Sequence, residues 1–216
     1  MTHLKRQSAP RNWPIERKGS VYVVGTRFNL NEGIPVLIIL RDILKLAQDR
    51  REAKRIIHLR QILVNSKIIK DEKNVILFFD VLSILPLKKH YRLELSNKGK
   101  FYLNEIKENE SDKKIAKIIG KKIMKGKKTQ LNLSDGRNFL SDIKCNVNDS
   151  VIINLKTKKI EKCLPLKEKA MGIVFAGKHS GEKGEIIGLN PEEKTARIKS
   201  DAKEINILIN QLMVIE

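Results

Sequence analysis

The chain has 216 residues, 41% of them hydrophobic, which is enough for one large domain or for two to three small domains with packed cores. It carries 44 Lys and Arg against 25 Asp and Glu, a formal net charge of +19, and this excess predicts a polyanionic partner. The longest apolar run, IPVLIIL at 34–40, is far shorter than the roughly 20 residues of a membrane-spanning helix, and the amino terminus lacks the apolar core of a secretory signal. We therefore expect a cytoplasmic protein.

Nucleic acid is the favoured polyanion. A helix that binds an anionic membrane combines a basic face with Trp, Phe or Leu on its apolar face, whereas aromatic residues make up only 5% of this chain and are spread out. Cys145 and Cys163 lack the CxxC spacing, so neither a disulfide framework nor a zinc site is expected.

The first 35 residues are interpreted as a basic arm and an entry segment. Pro10 and Pro14 prevent a continuous helix, and a frayed terminus is the alternative interpretation. Trp13 argues against fraying, because a large ring either packs on protein, which is slightly favoured, or stacks on a base. The cations expected to contact RNA are Lys5, Arg6 and Arg11.

Residues 36–46 and 49–57 show helical spacing of apolar residues and predict two short helices. Asp49 followed by Glu52 fits a capping box at the second helix. Asn65 and Ser66 then predict a hairpin turn, because Asn tolerates a positive φ. A solvated charged face is the alternative for the basic residues of these helices, whose candidate RNA contacts are Arg41, Arg50, Arg51, Lys54 and Arg55.

The middle of the chain shows mainly β patterns. A small all-β unit is predicted by strand-like segments over 75–106, a hairpin at Asp135 and Gly136, and a further strand pair over 149–164. The segment 111–123 fits either a helical stripe or a strand. Two more basic clusters either bind RNA or keep the surface soluble. One contains Lys88, Lys89, Arg92, Lys98 and Lys100, and the other contains Lys121, Lys122, Lys125, Lys127 and Lys128.

The last 48 residues, from 169, contain five short β-like runs with the cadence of an SH3-like barrel. The loop segment GKHSGEKGEI has glycines at Gly177, Gly181 and Gly184 but matches neither a phosphate loop nor a dinucleotide fingerprint. Its carboxylates would repel phosphate, so we interpret it as a strand-loop-strand turn. Lys178 and His179 are its candidate contacts, with a plain barrel turn as the equal alternative.

Four stretches resemble known modules, in order along the chain. GIVFAGKHSGEKGEIIGL resembles the KOW motif, and HLKRQSAPRNW resembles the amino-terminal signature of the archaeal and eukaryotic small-subunit ribosomal S-four-e family. RREAKRIIHLRQILVNSKIIKD is similar to that family's S-four-like (alpha-L) RNA-binding module, and TQLNLSDGRN is similar to its central domain. Ser66 replaces the Gly that this module typically has, so we expect a looser hairpin.

The resemblance implies an α+β, mostly β fold. It divides the chain into a basic arm (1–35), an S-four-like module (36–95), a central β domain (96–168) and a KOW SH3-like barrel (169–216), and it favours a strand for part of 113–123. It also implies an archaeal-type, non-enzymatic structural constituent of the small ribosomal subunit. The expected partners are ribosomal RNA and neighbouring ribosomal proteins, with no membrane, small-molecule substrate, cofactor or metal.

Two functions of other classes remain open at this point. A transcription elongation factor or RNA chaperone also uses a KOW barrel, but the amino-terminal signature speaks against this alternative. An RNA-modifying enzyme can carry the S-four-like module, but only about 120 residues of small β units follow it here, and no catalytic motif is found.

Overall fold

The computed structural model describes residues 3–27, 29–124, 128–141, 143–190, 192–200 and 203–215. The chain divides into two compact units: unit 1 comprises Met1–Ser96 and Lys100–Asp112, and unit 2 comprises Asn97–Gly99 and Lys113–Glu216. Strands predominate in both units, which confirms the expected α+β, mostly β fold class. The four segment boundaries drawn from the sequence stay predictions.

Unit 1 is built from antiparallel strands and short helices. Its strands are β1 (Leu4–Lys5), β2 (Tyr22–Val23), β3 (Gly33–Pro35), β4 (Ile62–Val64), β5 (Lys67–Ile68), β6 (Val75–Leu77), β7 (Val81–Ile84), β8 (Lys89–Leu95) and β9 (Phe101–Ile106). Its helices are α1 (Val36–Ile38), which continues as a π-helical turn over Ile39–Ile43, α2 (Arg50–His58) and α3 (Glu108–Ser111). The largest sheet has the order β5-β4-β7-β8-β9, and two smaller sheets pair β1 with β2 and β3 with β6.

The arm folds back on unit 1 and is not a free tail. Strands β1 and β2 pair in antiparallel register and enclose the intervening loop. Within that loop the Trp13 ring is 2% exposed, and its Nε1 donates a hydrogen bond to the Gly33 carbonyl at 2.8 Å. Trp13 therefore anchors the arm to the body, which is the first of the two roles considered from the sequence.

Helix α2 forms where the apolar stripe predicts it. Ala53 and Ile57 are buried on one side. The predicted capping box does not form: the Glu52 carboxylate accepts from the backbone NH of Gln48 at 2.7 Å, one residue before the N-cap Asp49. The Asp49 side chain makes no capping hydrogen bond, so its predicted role in the box is wrong.

The hairpin between β4 and β5 turns at Asn65 and Ser66, as predicted, with φ angles of 50° and 62°. Asn65 is buried, and its amide ties the turn to β7: Nδ2 donates to Asp80 Oδ1 at 2.7 Å, and Oδ1 accepts from the Val81 NH at 3.1 Å. These bonds hold the turn in place although Ser66 stands where the module typically has Gly.

Unit 2 contains two five-stranded antiparallel sheets. The first has the order β12-β11-β10-β13-β14 and the second β18-β17-β16-β15-β19. The strands of the first sheet are β10 (Lys113–Ile123), β11 (Thr129–Leu133), β12 (Asn138–Ser141), β13 (Ser150–Asn154) and β14 (Lys159–Leu164). Those of the second are β15 (Met171–Val174), β16 (Lys183–Asn190), β17 (Thr195–Ser200), β18 (Lys203–Leu208) and β19 (Leu212–Val214).

The ambiguous segment is the long strand β10. Its first half pairs with β13 and its second half with β11, and the register shifts between Ile118 and Gly120. Because both edges of β10 are hydrogen-bonded, its β-branched residues fit a strand better than the helix that their spacing also allowed.

The second sheet forms the half-barrel expected for the last part of the chain. Strand β15 lies between β16 and β19, so the first and last strands of the region are neighbours. A Cβ at Gly184 would overlap the Lys199 carbonyl oxygen of β17, so this position needs glycine for close strand approach. The apolar core includes Val174, Ile186 and Leu212.

Candidate nucleic-acid interface

The exposed side of α2 carries a row of cations, here called the α2 basic face and defined as Arg50, Arg51, Lys54 and Arg55. All four are exposed; Arg51 and Arg55 lie opposite the buried residues Ala53 and Ile57, whereas Arg50 and Lys54 lie beside them. A 3.6-residue period places residues one and four positions apart on one broad side of a helix, so the four cations present their charge in one direction.

Glu72, 4% exposed, organises one edge of this face. Its carboxylate accepts from Arg50 Nε at 3.0 and 3.1 Å and also from Arg50 Nη2, and Lys54 Nζ lies 3.7 Å from Oε1. The hydrogen bond to Glu72 raises the pKa of Arg50 above its usual value. Arg50 is still about half exposed, so Glu72 fixes its position while part of the guanidinium remains open to solvent.

Arg51 and Arg55 differ from their neighbours. Both are exposed, and neither has an ion-pair partner among the residues described. These two cations of α2 can therefore bind a polyanion without first breaking an ion pair with a carboxylate.

The arm cations have different environments. Arg6 is used internally: its guanidinium donates to the carbonyls of Ser20 and Glu16 at 2.7 and 2.8 Å and to Ser20 Oγ at 2.8 Å. Lys5 and Arg11 are exposed. Arg6 thus closes the arm loop, whereas Lys5 and Arg11 extend from its surface.

The second basic cluster follows β8 and the β8–β9 turn. Lys89 pairs with Glu105 at 3.3 Å, and Arg92, only 18% exposed, pairs with Glu110 at 3.5 Å. Lys88, Lys98 and Lys100 are exposed, as is the paired Lys89. In the third cluster Lys121 donates to the Cys145 carbonyl at 3.1 Å, Lys122 and Lys128 are exposed, and Lys125 and Lys127 lie outside the described residues.

The glycine loop between β15 and β16 is a tight turn. Gly177 and Gly181 have φ angles of 90° and 96°, and the Gly181 NH donates to the Val174 carbonyl at 2.7 Å. His179 Nδ1 lies 3.2 Å from Glu182 Oε1, so its imidazole is engaged within the loop. Lys178 is exposed at the loop surface.

A groove in unit 1 brings together residues that the sequence did not connect. Its volume is 440 Å³, and it lies between the extended segment that follows β2 and helix α1 with its π-helical turn. Arg41 and Arg50 were predicted RNA contacts, but the other lining side chains were not, because only the fold brings Lys73 close to segment 3–27. The aromatic and cationic side chains that line it are His3, Tyr22, Arg27, Arg41, Arg50 and Lys73.

Among the described residues, no group of three or more His, Cys, Asp and Glu side chains is placed to hold a metal ion. Within the same part of the chain, none of the helices has the length and apolar character needed to cross a membrane.

Comparison with known proteins identifies the family. A model described as "RS4NT (NUC023) domain" matches residues 2–27, and one described as "Ribosomal family S4e" matches residues 87–160. A protein of Methanosphaera stadtmanae named "Small ribosomal subunit protein eS4" is 37% identical over 211 residues, which cover 95% of this chain and 88% of that protein. The Archaeoglobus fulgidus protein of the same name is 38% identical over 186 residues, covering 85% of this chain and 78% of that protein.

A solved structure agrees with these sequence relatives. The crystal structure of the 30S ribosomal protein S4e from Thermoplasma acidophilum superposes with a TM-score of 0.74 at 25% identity, covering 86% of this chain and 95% of that chain. The chain belongs to the ribosomal protein family S4e. This confirms the family inferred from the four ordered motifs.

Proposed function

We propose that this chain is a structural constituent of the small ribosomal subunit, located in the cytoplasm, and that it binds and stabilises folded ribosomal RNA. Its membership of the S4e family carries the proposal, because the curated relatives are named small ribosomal subunit proteins. The net charge of +19 supports it, since such a charge suits a densely phosphorylated partner. Ribosomal RNA and adjacent ribosomal proteins are the partners in this proposal.

The α2 basic face is the first RNA contact that we propose. Lys and Arg displace counterions from phosphates, and this allows RNA helices to pack closely. Arg51 and Arg55 would bind the RNA backbone directly. Arg50 and Lys54, held by Glu72, would supply contacts in fixed positions.

Further contacts follow from exposure. We assign backbone binding to the exposed cations Lys5, Arg11, Lys88, Lys98, Lys100 and Lys178. We assign a positioning role to the residues with internal partners, which are Arg6, Trp13, Lys89, Arg92 and His179. Gly177 and Gly181 permit the tight backbone of the β15–β16 loop, and Gly184 permits the close approach of β16 to β17.

The proposal contains no catalytic step. The S4e family is ribosomal, and no observation favours an RNA-modifying enzyme or a transcription factor over a ribosomal constituent.

Salt-dependent binding tests the contact surface. We expect the affinity of the full chain for small-subunit ribosomal RNA to fall steeply with salt, with about one unit of log-log slope per phosphate contact. The double variant Arg51→Gln/Arg55→Gln should reduce that slope by about two and weaken binding to all RNA sequences similarly.

The matched control removes the same charge elsewhere. Lys158→Gln/Lys159→Gln replaces two exposed lysines, one at the end of the β13–β14 turn and one at the first position of β14, to which no RNA contact is assigned. An equal loss of slope in both double variants would show a general charge effect and refute the role of the α2 basic face.

A further inference from the structure

We propose that the groove of unit 1 lined by His3, Tyr22, Arg27, Arg41, Arg50 and Lys73, here called the arm groove, holds one unpaired nucleotide of the bound RNA. This inference rests on the proposed function and names the form of RNA that this part of the surface recognises. The base would stack on the aromatic end of the groove, and the phosphate would bind its cationic end.

The aromatic end is formed by Tyr22 and His3. Their ring centroids are 5.2 Å apart and their planes are inclined at 73°, an edge-to-face arrangement that leaves one Tyr22 face uncovered by His3. Tyr22 is 55% exposed although it is a large ring in a paired strand. An exposed ring held by a neighbouring ring is a suitable stacking platform for an unpaired base, because every base has a π-face.

The cationic end has fixed geometry. Arg27 Nη2 pairs with Asp71 at 2.8 Å, Arg41 Nη2 with Asp42 at 2.9 Å, and Arg50 with Glu72. Each carboxylate orients a guanidinium that has five N–H donors, more than one carboxylate accepts, so donors remain for a phosphate.

Lys73 supplies the excess charge. Its ammonium has no ion-pair partner in the described part of the chain, whereas the three guanidiniums are each matched by a carboxylate. The cationic end of the groove is therefore net positive, which favours binding of a phosphodiester.

The size of the groove suits a single nucleotide. Its 440 Å³ lies within the range of about 300–1,000 Å³ that is typical of small-ligand clefts. A-form duplex RNA buries its bases in the helix, so only a bulged, looped or terminal nucleotide can bring a base and its phosphate into such a groove.

The test compares two RNA hairpins that differ by one nucleotide. The first is fully paired, and the second carries a single bulged 2-aminopurine, whose fluorescence falls when it stacks on an aromatic ring. We expect the full chain to bind the bulged hairpin roughly ten-fold more tightly than the paired one, with quenching on binding. Tyr22→Leu and Arg41→Gln should abolish this preference, and Tyr22→Leu should also abolish the quenching.

Arg55→Gln is the matched control, because Arg55 lies on α2 but does not line the arm groove. It should weaken binding to both hairpins and leave their affinity ratio unchanged. Equal affinity of the wild-type chain for the two hairpins would overturn the groove assignment while leaving the proposed function intact. The assignment would also be overturned if the Tyr22→Leu variant quenched the fluorescence as strongly as the wild-type chain does, or if free AMP bound as tightly as the bulged hairpin. Failure to bind either hairpin or ribosomal RNA would refute the proposed function itself.

Discussion

Lys117 shows how one residue can link two sheets. It lies on β10 and is 2% exposed. Its ammonium donates to the carbonyl of Ile209, in the turn before β19, and to the carbonyl of Leu212, the first residue of β19, at 2.7 Å. The ring of Phe175 lies 5.9 Å from the same nitrogen. The two carbonyls and the ring partly replace water around the buried charge.

Burial lowers the pKa of Lys117 from 10.5 to about 8. Between these values the unfolded chain binds more protons than the folded chain, so the free energy of unfolding should rise with pH from about 8 to 10.5, by at most about 3 kcal/mol. We expect Lys117→Met to lose this rise. Urea denaturation followed by circular dichroism across the pH range measures it.

Lys122→Met is the control for this experiment, since Lys122 is an exposed lysine on the same strand. It should keep the pH dependence of the wild-type chain. If Lys117→Met and wild type show parallel profiles from pH 8 to 10.5, the lysine is not titrating in the folded interior.

Some properties of single residues could be predicted from the sequence and others could not. The exposed basic character of Arg51 and Arg55 followed from helical spacing, because Ala53 and Ile57 set the buried side. The pairing of Arg50 with Glu72 did not, since the partners are 22 residues apart and only the folded chain brings them together. Trp13 was predicted only in part: the size of its ring indicated either burial in the protein or stacking on a base, and its hydrogen bond to the Gly33 carbonyl shows that it is buried.

Among the elements, the β4–β5 hairpin has an unfavourable backbone conformation at its turn, and the Asn65 side chain stabilises it. Both turn residues are in the left-handed region, which costs an ordinary residue about 1–2 kcal/mol. The two Asn65 amide bonds to Asp80 and Val81 offset this cost.

Two substitutions in this turn should have opposite effects. Asn65→Ala removes both amide bonds and should destabilise unit 1 by about 2–3 kcal/mol. Ser66→Gly relieves the left-handed strain and should stabilise it by up to about 1 kcal/mol. Urea denaturation followed by the fluorescence of Trp13 reports on unit 1, because Trp13 is the single tryptophan. A neutral Asn65→Ala would show that the amide bonds do not hold the turn.

Strand β10 illustrates why some elements resist prediction. Ile115, Ile118, Ile119 and Ile123 fit a helical stripe, yet the segment is a strand that bonds β13 and β11 on its two edges. The pairing partners on β13 are 33 to 41 residues away, from Lys117 with Ser150 to Lys113 with Asn154, and the periodicity of β10 contains no information about them. The Asp135-Gly136 hairpin was predictable because its signal is local.

For the whole molecule, the fold class and the family could be predicted from the charge and the order of the motifs in the sequence. The shape of the surface could be described only from the structure. The mostly β character and the barrel followed from short alternating runs. The arm groove could not be predicted, because residues of the arm, the first helix and the 71–74 segment meet only after folding.

The central claim, that this chain is a constituent of the small ribosomal subunit, is tested most directly by sedimentation. Ribosomes from the source cells are washed in high salt, their subunits are separated on a gradient, and each fraction is probed for the chain. The account predicts near-stoichiometric chain in the small-subunit peak after the wash. Loss from that peak, with recovery in soluble or polymerase-containing fractions, would contradict it.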